Sequence, residues 1–397
     1  MVCGGRQLWL ATMGRLFYAN FDVESQWGKP RSVSPADVQR RSVELATVWL
    51  ALAEAKDCLL LPVELEAGFL ESLAPAGLSV PRIAGSPADV PSGMEFRPWG
   101  WSQPAIDFAT QQGWNARAPS IDLVRRANSR RFSIELETEF GTGLDGAAVI
   151  RSPAELERAL AALSAERWVV KAEFGMSARE RILGRGRQLT EPQRNWVAKR
   201  LQGDAVVVLE PWVEIIAEAG LQFTLPVSAD EPIRLEGVTP LLTDAQGAYR
   251  GSRFDDETPG SSETPGIWPQ PAVDVALRAA ERIRSLGYFG PLGIDAAQYR
   301  AADGTIRDRP LQDVNARHTM GRLSLGLRRL LNPDETGVWL HQRWPTDDVN
   351  APRRWFEEFQ STLPQGTRIV RTSPFMIDGQ PVGQGTVAVI CNGESPA

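Results

Sequence analysis

"LQDVNARHTMG", residues 311–321, places an acid, an amide and an arginine at alternate positions, with small or apolar residues between them and a glycine at the end. Successive side chains of a strand point to opposite faces, so Asp313, Asn315 and Arg317 share one face while Val314 and Ala316 take the other, which is the one to bury. The preceding run "PLGIDAAQYR" (291–300) also reads as a strand, and the turn "AADGT" (301–305) joins the two. Such a hairpin brings Asp295 alongside Asp313. Two carboxylates and an amide oxygen are hard donors of the kind that hold magnesium while substrate phosphates complete its octahedron. Arg317 then faces the anion that the metal activates. Taken alone, the tripeptide reads more simply as the solvated face of an ordinary hairpin.

Segments further back bear on that choice. "WVVKAEFGMSARERI" (168–182) is a β-branched strand ending in Lys171, followed by a loop with Gly175 and Ser177. A lysine there can neutralise phosphate, and a Gly/Ser loop lets backbone N–H groups approach phosphate oxygens. It is not a Walker A loop, because the glycine follows the lysine. "VVVLEPWVE" (206–214) runs from a buried strand into Glu210, Pro211, Trp212 and Val213, an apolar exit that could stack adenine while Glu210 reads its edge. Each segment also has a bland reading, as an exposed lysine and an ordinary strand exit.

A strand with a lysine, a Gly/Ser loop, a strand with a Glu-x-x-Val hinge, an Asp, then Asp-x-Asn-x-Arg: this order resembles the ATP-grasp superfamily, the fold of D-alanine:D-alanine ligase, biotin carboxylase and many carboxylate–amine ligases. The resemblance covers roughly residues 120–330. It implies ATP and Mg2+ as cofactors and an α/β architecture: an N-terminal Rossmann-like domain over 1–120, a two-subdomain ATP-grasp domain over 121–345 and a C-terminal extension over 346–397. Carried over by position, Lys171 contacts ATP phosphates, the Gly175–Ser177 loop closes over them, Glu210 and Val213 hold adenine, and Glu214, with Glu218 second, holds ribose. Asp295, Asp313 and Asn315 ligate magnesium, Asp313 standing where many members have glutamate. Arg317 meets the acid or its acyl phosphate. Members usually carry another phosphate-binding lysine earlier, and "NSRRFSIELETEFG" (128–141) offers Arg130 instead.

The implied reaction is activation of a carboxylate by ATP as an acyl phosphate, which an amine, or less often a thiol, then attacks. Alternatives are a nucleotide-binding protein without turnover, or an ATP-grasp enzyme that transfers phosphoryl groups or forms thioesters. The partners expected are a small-molecule or peptide carboxylate and an amine, and a homodimer is open. "RPWGWSQ" (97–103) could line a substrate wall, and "SRFDDETPGSSETPGIWPQP" (252–271) could be a lid or a surface insertion.

Composition sets the frame. The chain of 397 residues is 43% apolar and 23% charged, with 29 prolines and 35 glycines, as in a loop-rich globular protein of two or three domains. A net charge of −6 gives no electrostatic case for nucleic acid or an anionic membrane. Three scattered cysteines fit a reducing cytoplasm, and no apolar run approaches a bilayer span. Two histidines, His318 and His341, leave little for zinc or a histidine base.

Further elements follow from periodicity. Strands are expected at 6–13, 57–63 and 78–85, with helices at 34–56 and 64–77 between them, an alternation that implies a parallel sheet. One helix is expected over 120–141 with Gly141 as C-cap, and another after Ser152, its N-cap, with Glu155 as capping-box partner. A helix over 272–287 and a strand over 384–391 complete the reading.

Overall fold

Leu16 and Phe17 are neighbours in the chain and lie in different cores, because a strand alternates its faces. They belong to β1 (Arg15–Tyr18), which with β2 (Cys58–Leu60), β3 (Arg82–Ala84) and β4 (Glu95–Pro98) makes a parallel sheet ordered β3-β2-β1-β4. Both faces are buried, as a parallel sheet requires. The computed structural model describes residues 13–27, 35–175, 180–244, 247–254, 268–345 and 347–392. The strand expected at 6–13 lies outside them apart from Met13, and the first described strand starts at Arg15.

The helix expected over 34–56 is shorter: α1 (Pro35–Ala46) gives way to a 3-10 turn, Thr47–Ala51, every residue of which is buried. The helix α2 (Phe69–Leu73) precedes β3, and α3 (Gln103–Gln111) starts from Ser102, whose hydroxyl accepts the Ala105 N–H.

The single helix expected over 120–141 is two, α4 (Ile121–Ala127) and α5 (Arg130–Phe140). Asn128 breaks it, because its amide bonds elsewhere: Nδ2 donates to the Val124 carbonyl at 2.7 Å and Oδ1 accepts the Ala316 N–H at 3.0 Å. Ser129 then caps α5, which ends at Gly141 in the left-handed region, φ 66°. The break seats the start of α5 beside the hairpin that carries Asp313.

A small antiparallel sheet follows, ordered β5-β8-β6-β7, from β5 (Ala148–Ile150), β6 (Arg167–Ala172), β7 (Arg181–Arg185) and β8 (Val207–Pro211). The helices α6 (Pro153–Ala162) and α7 (Glu191–Arg200) cover one face, where Trp168, Val170, Val207 and Leu209 pack. Ser152 caps α6 as expected, whereas the Glu155 carboxylate accepts from the Arg151 N–H rather than from Ser152. Alternation sends Lys171 and Glu210 to the opposite face.

The larger sheet is ordered β13-β12-β9-β10-β11-β14-β18-β15. Its members are β9 (Glu214–Leu225), β10 (Arg234–Thr243), β11 (Tyr249–Arg253), β12 (Gly290–Arg300), β13 (Ile306–Asn315), β14 (Glu335–Arg343), β15 (Arg368–Arg371) and β18 (Gln384–Asn392). The hairpin β16 (Met376–Ile377) and β17 (Gln380–Pro381) stands apart. The helix α8 (Gln270–Ser285) contributes Ala276, Ala279, Ala280 and Ile283 to the core beneath β9 and β13, and α9 (Met320–Gly326) packs on β10. After α10 (Ala351–Thr362) the chain returns as β18, which pairs with β14 from Glu335↔Asn392 to Arg343↔Gln384. The C-terminal segment is thus built into the central sheet, and a boundary near 345 would cut it.

The N-terminal sheet docks through α9. A Cβ on Gly326 would lie 2.1 Å from the Ala51 carbonyl oxygen, a backbone atom with nowhere to go. Gly326→Ala is therefore expected to destabilise by about 1–3 kcal/mol through overpacking. A thermal midpoint equal to that of the parent would contradict this close approach.

Candidate active site

The three sheets meet at a cavity of about 990 Å³ whose wall includes Arg130, Lys171, Gly175, Arg181, Asp295, Asp313, Asn315 and Arg317. The hairpin supplies its acidic end. In register, Asp295 stands directly opposite Asp313 and Gly293 opposite Asn315. Burial, then the charge of Asp313, pushes the Asp295 carboxyl up to about 7. Asp313 is raised too, by burial, which the nearby Arg130 and Lys171 charges only partly offset. Asn315 bridges onward: its Nδ2 donates to Asp295 Oδ2 at 3.0 Å, and its Oδ1 accepts from Arg317 Nη2 at 2.7 Å.

Two opposed carboxylates, both held above their ordinary range, are short of positive charge. Among the described residues no group of three or more His, Cys, Asp and Glu side chains could hold a metal, so the pair is not a complete protein cage. Two carboxylates and an amide are the donor set of a Mg2+ site finished by phosphate and water. The residues present fit that ion.

The small sheet and α5 supply the cationic end. Lys171 Nζ lies 2.6 Å from Glu210 Oε2, and Arg181 stands opposite Lys171 in the β6–β7 register. Arg130, the first residue of α5, donates to the carbonyls of Ala172 and Gly175, each at 2.8 Å, and its guanidinium is 3.7 Å from Asp313. It thereby pins the start of the glycine loop over the acidic pair. Ser177 lies outside the described residues.

Arg317 joins the hairpin to the N-terminal sheet. Its Nε donates to Glu24 Oε1 at 2.6 Å, Nη1 to the His318 carbonyl at 2.9 Å, and the guanidinium lies 5.8 Å from the Trp99 ring centre. Trp99, Ser102, Tyr18 and Phe108 line the wall on that side, so part of "RPWGWSQ" does face the cavity. His318 does not. It is buried edge-on against Trp49, and burial drives its imidazole down to about 3, so it is neutral at physiological pH. His341 is in the wall and likewise driven down by burial to about 3.

The hinge residues are placed otherwise than the sequence suggests: none of Glu210, Val213 and Glu214 is in the wall. Burial alone would raise the Glu210 carboxyl, but Arg309 and Lys171 outweigh it and hold it far below the usual carboxylate range. Both oxygens of that carboxylate accept from cations, Oε1 from Arg309 and Oε2 from Arg309 and Lys171. Glu214 turns outward to Arg300 at 3.2 Å, and Trp212 is flanked by Arg167 and Arg181, each 5.6 Å from its ring centre. Glu218, the second ribose candidate, is in the wall, bonded to Thr243 at 3.0 Å and Gln312 at 3.3 Å. Of the 252–271 segment, residues 255–267 lie outside the described residues.

No family model matches the chain, and no curated protein matches it by sequence. Solved structures do. N5-carboxyaminoimidazole ribonucleotide synthetase from Thermus thermophilus is 15% identical, with 89% of this chain and 92% of that one covered at a TM-score of 0.52. The biotin carboxylase domain of the Hydrogenobacter thermophilus 2-oxoglutarate carboxylase, in complex with MgADP and bicarbonate, is 9% identical over 96% of this chain and 86% of that one, also at 0.52. N5-carboxyaminoimidazole synthase from Aspergillus clavatus, in complex with ADP and its aminoimidazole ribonucleotide, is 12% identical over 85% and 94%, at 0.50. The chain has the ATP-grasp fold.

Two wall residues of this ATP-grasp core stand out beside the motif positions. Arg181 is one; its neighbour across the sheet identifies it only once the strands are paired. The other is Gln222, on an otherwise apolar stretch of β9 and 2% exposed. Its Oε1 accepts from the Thr319 hydroxyl at 2.8 Å, and among the described residues its Nε2 has no acceptor. A Cβ at Gly220 would sit 2.6 Å from that Nε2, and one at Gly293 would sit 2.5 Å from Thr319 Cγ2. Glycine on the ATP-grasp strands makes room for this amide.

Proposed function

We propose that this chain is an ATP-dependent ligase that converts a carboxylate to an acyl phosphate for attack by an amine. The observation that carries the reading is the opposition of Asp295 and Asp313 across one hairpin, in the same cavity as Lys171, Arg130 and Arg181. Asp295, Asp313 and Asn315 would hold Mg2+, which supplies charge neutralisation for the transferring phosphoryl group. Lys171, Arg130 and Arg181 bind the phosphates, the Gly175 loop covers them, and Glu218 takes the ribose. Positioning and electrostatics then do most of the work, and no protein nucleophile is needed.

The carboxylate oxygen bonds to the γ-phosphorus as the bond to the β-phosphate oxygen breaks, releasing ADP. The amine then bonds to the acyl carbon and phosphate leaves. Arg317 and the Nε2 of Gln222 face the place where the carboxylate would lie, between the acidic pair and the aromatic wall. Held within this cavity, the acyl phosphate would be sheltered from water that hydrolyses it. The chain is proposed to act in the cytoplasm on small molecules or peptides; among the described residues no helix is long and apolar enough to cross a membrane.

Magnesium with ATP is expected to raise the thermal midpoint, by about 2.7 kcal/mol of linkage at one hundred times the dissociation constant. No shift at millimolar nucleotide would contradict the reading. The deciding experiment is a screen of carboxylate and amine pairs for release of ADP and phosphate, with the product weighed by mass spectrometry. A ligated product is expected; ADP without one would favour phosphoryl transfer.

A further inference from the structure

Arg309 belongs to no motif and does not line the cavity, yet it is 3% exposed at the junction of three elements. Its Nε and Nη2 reach the two carboxylate oxygens of Glu137 on α5, at 2.5 and 3.0 Å. Its Nη1 and Nη2 reach both oxygens of Glu210 on β8, at 3.2 and 3.0 Å. Glu210 also takes Lys171, at 2.6 Å. Burial raises the Glu137 carboxyl against the pull of the Arg309 charge, whereas Arg309 and Lys171 hold Glu210 far below the usual carboxylate range. The two-pronged fork of Arg309 onto both Glu137 oxygens is the geometry of an ion pair, and on it both glutamates are taken as ionised. The cluster holds two anions and two cations, and it sums to zero.

Of its four members only Lys171 reaches the cavity wall. A lysine backed by two buried carboxylates would present a net negative site to an incoming anion. One further positive charge behind it removes that penalty, and in a weakly screened interior the difference is large. We propose that Arg309 is a positioning residue of the phosphate end: it neutralises the glutamates behind Lys171 so that the lysine's charge is available to a polyphosphate. The inference rests on the reading of that end as an ATP site.

The test is calorimetric titration of Mg-ATP into the parent chain, Arg309→Met, Glu137→Gln and the double variant. Every variant loses the Arg309–Glu137 fork, and Arg309→Met and the double variant also lose the fork to Glu210; the cluster charge becomes −1, +1 and 0 respectively. Arg309→Met is expected to weaken binding at least about tenfold, Glu137→Gln to bind as tightly as the parent or tighter, and the double variant to return to within about threefold of the parent. A structural clamp alone would leave the double variant as weak as Arg309→Met, since both lose the fork to Glu210. That result, or parent-like affinity in Arg309→Met, overturns the proposal. Should Arg309→Met alone not fold, the double variant decides, since it removes the pair as a neutral unit: near-parent affinity supports the proposal and a tenfold loss overturns it. A parent chain that does not bind Mg-ATP is a different result and overturns the nucleotide reading itself.

Discussion

Asp295→Asn is expected to lower magnesium-dependent ADP release by about a thousandfold while making the metal-free protein more stable at pH 8. The first effect follows from losing one of two opposed carboxylates, since charge neutralisation by the metal is worth several kcal/mol and each 1.4 kcal/mol is about tenfold in rate. The second follows from the pH linkage. Burial and the neighbouring Asp313 charge raise the folded carboxyl to about 7, above the ordinary range near 4 that it has when unfolded. Below about pH 4 both states are protonated; between about 4 and 7 the folded state keeps a proton that the unfolded state has lost, so stability falls as pH rises through that window. Above 7 the whole penalty is present, on the order of 4 kcal/mol, and asparagine removes it. The gain should shrink as thermal scans are moved from pH 8 toward pH 4. Equal melting of parent and variant at pH 8 would mean that the pair is not strained; unchanged turnover would remove Asp295 from the metal site.

Arg317→Met should both unfold the N-terminal docking and remove activity, and the two losses can be separated. The guanidinium is bound to the buried carboxylate of Glu24, so truncation leaves an unpaired charge at the junction of the N-terminal sheet and the hairpin. Breaking a buried pair from one side costs about 3–5 kcal/mol. Glu24→Gln/Arg317→Met removes the pair as a unit and should recover most of the thermal midpoint. Turnover should stay about a hundredfold down in both variants, because Arg317 also lines the cavity where the carboxylate is proposed to bind. Recovery of turnover along with stability in the double variant would show that Arg317 only docks the domains.

The hairpin was legible because its information is local: a period of two, a five-residue turn and apolar residues on the hidden face place Asp295 opposite Asp313 without knowledge of the rest of the chain. The same alternation turned Lys171 and Glu210 to one side of the small sheet. What lay beyond the sequence depends on distant partners. Arg309 meets residues 172 and 99 positions away, and no local pattern marks it, yet with Lys171 it takes up the Glu210 carboxylate. Gln222 reads as a stray polar residue on an apolar strand until Gly220, Gly293 and Thr319 are seen around it. The helix over 120–141 failed for a similar reason, since Asn128 finds better partners in Val124 and in the backbone after β13 than in a continuous helix.

The central claim, that a carboxylate is activated as an acyl phosphate, is tested most directly by isotope transfer. The carboxylate substrate from the pair screen is labelled with 18O in both oxygens, and the inorganic phosphate released during ligation is analysed by mass spectrometry. Activation through an acyl phosphate places one 18O in each phosphate. Unlabelled phosphate accompanying a ligated product would contradict the account.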